Sequence, residues 1–179
     1  GIPCVEEADT TLAACAQEIA EDWMTYTPGG TFYYGPAHMQ VAAAMAVAVS
    51  GKRLNALFRE HLVDPLGLTS VFFAHPSLDN PRAGGAGTAS ATDYATILTA
   101  LAKGELLSPE SLTRLTEDHT AEPVVMATRS GVIGLGQDWH YALGCWRECQ
   151  ASTYDESCEG EGVISSPGAF GFYPFFNTV

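Results

Sequence analysis

Lysine is scarce in this sequence: of 179 residues only Lys52 and Lys103 carry an amine, and neither has a serine three residues before it. The Ser-x-x-Lys pair, in which the amine draws the proton from a serine hydroxyl, is therefore absent from these letters. Also missing are a Gly-x-Ser-x-Gly elbow, a His-Glu-x-x-His helix, a Gly-x-x-x-x-Gly-Lys phosphate loop and a dinucleotide fingerprint. Basic charge as a whole is low. Eight Lys and Arg against 21 Asp and Glu leave a net charge of −13. A field of that sign repels phosphate backbones and anionic lipid, so nucleic acid is not an expected partner. No uncharged apolar run reaches the roughly 18 residues of a membrane span. The longest, Met39 to Val49, contains Gln40 and stops at Ser50-Gly51. No Asp-x-Asp-x-Asp-Gly spacing turns the acidic residues into a cation loop, and no Cys-x-x-Cys with a nearby His gives a zinc site. The carboxylates, including the concentration at 155–161, read as a solvated face. Gly1-Ile2-Pro3 has neither the basic start nor the hydrophobic stretch of a leader.

What is present fits a globular protein, 46% hydrophobic and of a length expected to form a single domain. Five cysteines fall into two groups, Cys4 with Cys15 and Cys145, Cys149 and Cys158. Disulfides in an exported protein are the simplest account. Cys4–Cys15 would tie a loop onto a helix and Cys149–Cys158 would close an acidic loop, with Cys145 left as a thiol. The connectivity stays open, as does a cytosolic protein with five reduced thiols.

Periodicity predicts a helix from Asp9 to Trp23, capped by Asp9 or Thr10, with Leu12, Cys15, Ala16, Ile19 and Trp23 on its apolar face. Thr31 to Tyr34 is a short extended run. Ala37 to Ser50 is a helix apolar nearly all round, closed by Gly51, and such a helix is expected to be sandwiched between other elements. A further helix, Leu54 to Val63, should stop at Asp64-Pro65. Ser90-Ala-Thr-Asp93 has capping-box spacing and Ser108-Pro109-Glu110 is another helix start. Two strand-like runs follow, Trp139 to Arg147 and Val163 to Phe176, and alternation places Tyr141, Leu143 and Cys145 on one face. Helices followed by a β-hairpin indicate a mixed α/β (α+β) architecture. Each of the five histidines stands alone; His38, four residues from Tyr34, is the least ordinary.

Several words of the sequence, in order, carry a family resemblance. They are Pro28-Gly29-Gly30-Thr31-Phe32-Tyr33-Tyr34-Gly35-Pro36, Ser50-Gly51-Lys52, Pro65-Leu66-Gly67-Leu68, Gly84-Gly85, Thr88-Ala89-Ser90, Tyr141-Ala142-Leu143-Gly144-Cys145-Trp146 and Ser166-Pro167-Gly168-Ala169-Phe170-Gly171. Together the chain resembles the C-terminal portion of the β-lactamase-like, penicillin-recognising serine hydrolases, which include class C β-lactamases, esterases, D-amino-acid peptidases and carboxypeptidases. The resemblance implies a β-lactamase/transpeptidase-like fold: a helical region plus an antiparallel sheet.

That resemblance also implies a site. Tyr34 matches the family's catalytic tyrosine, and the Ala169 N–H would be an oxyanion-hole donor. Pro36, Ser166 and Gly168 would line the substrate. Pro36 stands where the family has an amide side chain and Ser166 where it has a lysine or histidine, which moves the expectation from β-lactams toward esters or peptides. No metal or organic cofactor is implied. The expected partner is a small ester, amide or D-amino-acid peptide, in a secreted or periplasmic protein. The Ser-x-x-Lys segment belongs upstream of Gly1 and a last strand and helix beyond Val179, so residues 1–179 would be an incomplete single domain. Loss of the cleft groups at Pro36 and Ser166 also fits a catalytically inactive binding or scaffolding relative.

Overall fold

The computed structural model describes residues 2–121, 125–126, 137–168 and 171–178. Its helices are α1 (Leu12–Glu21), α2 (Ala37–Ser50), α3 (Leu54–Phe58), α4 (Asp64–Leu66), α5 (Ala91–Ala102), α6 (Pro109–Thr116) and α7 (Glu156–Glu159). Its strands are β1 (Thr31–Phe32), β2 (Phe72–Phe73), β3 (Gly87–Thr88), β4 (Val125–Met126), β5 (His140–Tyr141), β6 (Trp146–Arg147), β7 (Val163–Ser165) and β8 (Phe175–Asn177). The chain divides into two compact units, Gly1–Met24 with Gly35–Ile97, and Thr25–Tyr34 with Leu98–Val179.

In the first unit α1 packs on α2 through Leu12, Ala43, Ala44 and Leu54, with Val47, Phe58 and Phe73 at the margin. Thr11, rather than Asp9 or Thr10, caps α1, accepting from the Ala14 N–H at 3.1 Å. The helix ends at Glu21, short of the expected Trp23. Asp22 turns extended and its carboxylate takes the Trp23 N–H, which leaves that indole 93% exposed. Helix α2 spans the predicted residues and Gly51 closes it at φ 67°. Among the described residues, however, it is packed on one side and not sandwiched. Only the Gln40, Ala43 and Ala44 side is buried, because α1 and Leu54 reach one flank; Met45 and Val49 stay exposed.

Two further sequence expectations shift in this unit. The chain stays helical past Asp64-Pro65 to Leu66, through one wide turn at Arg59–Val63. That turn changes the hydrogen-bonding register just before Pro65, which then sits in the first turn of α4, where its missing N–H leaves no bond unmade. Ser90 caps α5, receiving the Asp93 N–H at 3.1 Å, but Asp93 does not reach back. Its short carboxylate instead takes the N–H groups of Thr69 and Ser70 and the Ser70 hydroxyl at 2.7–2.8 Å.

A pair of fully buried amides fastens the unit. Gln40 donates to Asn80 at 3.0 Å and accepts from the Ala83 N–H, and Asn80 donates to the carbonyls of Cys4 and Glu7. Every buried polar group of the pair is thereby partnered, the condition on which such groups stabilise a fold. The Cys4–Cys15 disulfide ties the same N-terminal turn to α1.

The second unit holds β1 paired in parallel with β4 and a four-stranded antiparallel sheet in the order β5-β6-β7-β8. Each of the two expected long strands is in fact a hairpin. Gly144, at φ 82°, breaks the first run, and the Ala142 N–H closes on the Cys145 carbonyl at 2.9 Å. Tyr141 is therefore buried while Leu143 is 53% exposed, so they do not share a face. The second run turns between Ser166 and Pro174, whose N–H and C=O meet at 3.0 Å. Trp139, Tyr141 and Trp146 form the core with the Cys149–Cys158 disulfide, and Cys145 remains a thiol. Ser108 caps α6 as its sequence predicts, accepting from the Ser111 N–H.

Candidate active site

Tyr34 lies in the second unit, just beyond β1. Alternation puts Phe32 and Tyr34 on the side facing the aromatic core and leaves Tyr33 69% exposed. The Tyr34 ring sits 5.4 Å from that of Trp146, tilted 37°, and meets Tyr141 edge-on at 5.8 Å. Phe32 fills in beneath, 4.7 Å from Tyr141. Aromatic pairs in these arrangements are worth about 0.5–1.5 kcal/mol each beyond burial, so the phenol is carried on a stiff platform. Burial, then the neighbouring Tyr34 and Cys145, push the Tyr141 phenol above its ordinary range, which keeps it a neutral neighbour to Tyr34.

Ser166 and Gly168 belong to the same unit. They extend from the end of β7 and are both exposed. Trp146, which supports Tyr34, lies directly opposite Ser165 in the β6–β7 ladder, so the Tyr34 platform and the Ser166–Gly168 stretch start from one cross-strand pair. The Gly168 N–H is engaged by the Phe172 carbonyl at 2.8 Å. A Cβ at Gly168 would come within 3.2 Å of the Phe172 ring, a packing reason for glycine. Ala169, the expected oxyanion donor, lies outside the described residues.

Pro36 belongs to the first unit, where it precedes α2 and accepts the Gln40 N–H at 3.1 Å. A Cβ built on Gly84 would stand 2.9 Å from both the Cα and the Cβ of Pro36, so two backbone segments touch there. Proline offers no side-chain hydrogen bond at this position. In the same unit burial lowers the His38 pKa, opposed by a hydrogen bond with the Gly35 backbone.

The second unit also holds a titratable cluster. His140 Nδ1 pairs with Asp118, and the imidazole stacks flat on Tyr154, centroids 3.7 Å apart. Arg147 donates to Tyr154 and Glu159 on the same side. Burial works to raise the Asp118 carboxyl, but hydrogen bonds from His140 and the Thr120 N–H outweigh it and hold the group below the usual range. Nothing in the spacing of residues 118, 140 and 154 announces this. It arises because β5 crosses beside the segment after α6. Among the described residues no group of three or more His, Cys, Asp or Glu is arranged to hold a metal ion. A cavity of about 440 Å³ in the first unit, bordered by Arg53, Arg59, Phe72 and Leu78, contains none of the candidate residues.

The sequence profile of the Beta-lactamase family matches residues 3–177. A Bacteroides dorei protein, solved as a candidate β-lactamase, superposes with a TM-score of 0.77 at 32% identity over 94% of this chain and 53% of its own. EstCE1, described as a hydrolase with promiscuous acyltransferase activity, superposes with a TM-score of 0.72 at 18% identity over 97% and 55%. An octameric penicillin-binding protein homologue from Pyrococcus abyssi gives 0.68 at 16% over 93% and 41%. This chain thus spans about half the length of these solved relatives. No curated protein matches it. Among the described residues no single helix is long and apolar enough to cross a membrane.

Proposed function

Because the chain belongs to the β-lactamase family, we propose that it is part of a serine hydrolase acting through an acyl-enzyme, with the nucleophilic serine and its lysine outside these 179 residues. The observation that carries this reading is the placement of Tyr34 on the Trp146–Tyr141 platform, beside the strand that leads into Ser166–Gly168.

In this reading the serine hydroxyl attacks the carbonyl of a small ester, amide or D-amino-acid peptide while a proton is relayed from it through the Tyr34 hydroxyl to the neutral lysine amine. Tyr34 then returns a proton to the leaving group, and water repeats the cycle on the acyl-enzyme. The Ala169 N–H stabilises the developing oxyanion, and the bare backbone at Gly168 admits the substrate. Pro36 and Ser166 bring neither an amide nor a cation, which favours esters and neutral peptides over substrates held by a carboxylate. The acyl transfer described for EstCE1 is the same chemistry with an acceptor other than water. Two disulfides fit an oxidising, extracytoplasmic compartment, and we place the protein among exported ones.

A second reading, a non-catalytic binding relative, is favoured by the same two positions, Pro36 and Ser166. A fluorophosphonate probe applied to the full-length gene product separates the two. The hydrolase reading expects label on one serine outside residues 1–179, in a Ser-x-x-Lys sequence. Folded protein that takes no label supports the binding relative and contradicts the hydrolase.

A further inference from the structure

We propose that Glu148 and Tyr173 are positioning residues for the acyl-transfer site: their hydrogen bond crosses β7 and holds the Ser166–Gly168 turn against β6, the strand whose Trp146 supports Tyr34. The inference rests on the hydrolase reading above and extends it to residues that the sequence did not single out.

Glu148 is 6% exposed, and a carboxylate leaves water at high cost unless it is bonded. Its side chain accepts from the Tyr173 hydroxyl. Register explains how the two meet. In the β6–β7 ladder Trp146 faces Ser165 and Arg147 faces Ile164, and the Glu148 N–H continues the ladder to the Val163 carbonyl at 3.0 Å. Trp146, Glu148, Val163 and Ser165 therefore stand on one face of the sheet. On the other side of β7, Ser165 faces Phe175. The bonds from Ser166 to Pro174 and from Gly168 to Phe172 extend that pairing and put Tyr173 opposite Pro167, on the same face.

Tyr173 thus reaches back over Ser165 to β6, a strand with which β8 itself does not pair. Its ring is half exposed, and it also rests against Phe175 at 5.9 Å. Burial of the hydroxyl and the Glu148 carboxylate together push the phenol up to about 12, so the donor stays protonated across the working range. Beside the β6–β7 ladder, this link ties the turn that carries Ser166 and Gly168 directly to β6. With it, the turn and the Tyr34 platform are braced along one face. A displacement of about 1 Å between reacting groups lowers turnover by about 100-fold, and this brace acts on that distance.

The test uses the full-length gene product and hydrolysis of p-nitrophenyl butyrate, with amide exchange at Ser166 and Gly168 as a readout independent of turnover. Tyr173→Phe is expected to lower kcat by about 10- to 100-fold with KM nearly unchanged, and to speed exchange at both amides. Glu148→Gln keeps an oxygen that accepts from the phenol and should stay close to wild type in kcat. Since Tyr173→Phe takes the hydroxyl donor from a buried carboxylate, the double variant Glu148→Leu with Tyr173→Phe removes both polar groups; it should fold and still turn over slowly. A double variant with wild-type kcat overturns the proposal, as does a Glu148→Gln variant as slow as Tyr173→Phe. Wild-type protein that hydrolyses no ester contradicts the hydrolase reading instead. The clamp is then judged by exchange alone, and unchanged exchange in Tyr173→Phe overturns it.

Discussion

Trp146 supports Tyr34 from one side, ring centroids 5.4 Å apart, while its own indole is 5% exposed. Trp146→Ala opens a cavity under Tyr34 and is expected to lower unfolding free energy by about 3–5 kcal/mol. Trp146→Phe keeps an aromatic face and should lose clearly less. Urea unfolding of both variants checks the order, and equal losses would show that the indole fills space without acting as a platform.

Asp118 gives a pH dependence with a definite sign. Its carboxyl is held below the ordinary value by His140 and the Thr120 N–H, against the opposing effect of burial. A depressed carboxyl stabilises the fold fully above its unfolded pKa, about 4, and that stability disappears as pH falls through the lower folded value. Asp118→Asn should therefore be less stable than wild type at neutral pH, with the gap closing under acid conditions below about pH 4. Urea midpoints measured across this range decide it. A gap that widens toward acid contradicts the pairing.

Cys145 should be a poor nucleophile in the folded protein. Burial pushes its thiol up to about 11, with Arg147 opposing only in part. Iodoacetamide at pH 8 is expected to alkylate it slowly in native protein and rapidly once urea unfolds the chain. Fast native labelling would mean that the thiol is open to solvent.

Gly84→Ala tests the close approach of backbone to Pro36. The new Cβ would stand 2.9 Å from two Pro36 atoms, and neither belongs to a flexible side chain. A loss of about 1–3 kcal/mol is expected, comparable to overpacking elsewhere. Thermal unfolding reads the loss, and an unchanged midpoint would show that the segment ahead of α2 yields freely.

The helical elements were legible because their signals are local. Gly51 and Ser108 mark ends that the backbone obeys, and the run from Ala37 to Ser50 is helical as read. Sequence pattern and structure part where one residue overrides the pattern. Gly144 folds back a run whose alternation reads as a straight strand, and the wide turn before Pro65 absorbs a residue that usually stops a helix. Of the proposed site residues, Tyr34 could be singled out because it sits in a recognisable word, Pro28-Gly29-Gly30 through Pro36. Glu148, Tyr173, Asp118 and His140 could not. They meet across strands or between a strand and a loop, separations that no spacing rule encodes.

The most direct test of the account is the acylation rate of the full-length protein, wild type against Tyr34→Phe, followed by stopped-flow with an activated ester. The account predicts a drop of about 100- to 10,000-fold in acylation for the variant, with the sheet intact by circular dichroism. A Tyr34→Phe protein that acylates at the wild-type rate would contradict it.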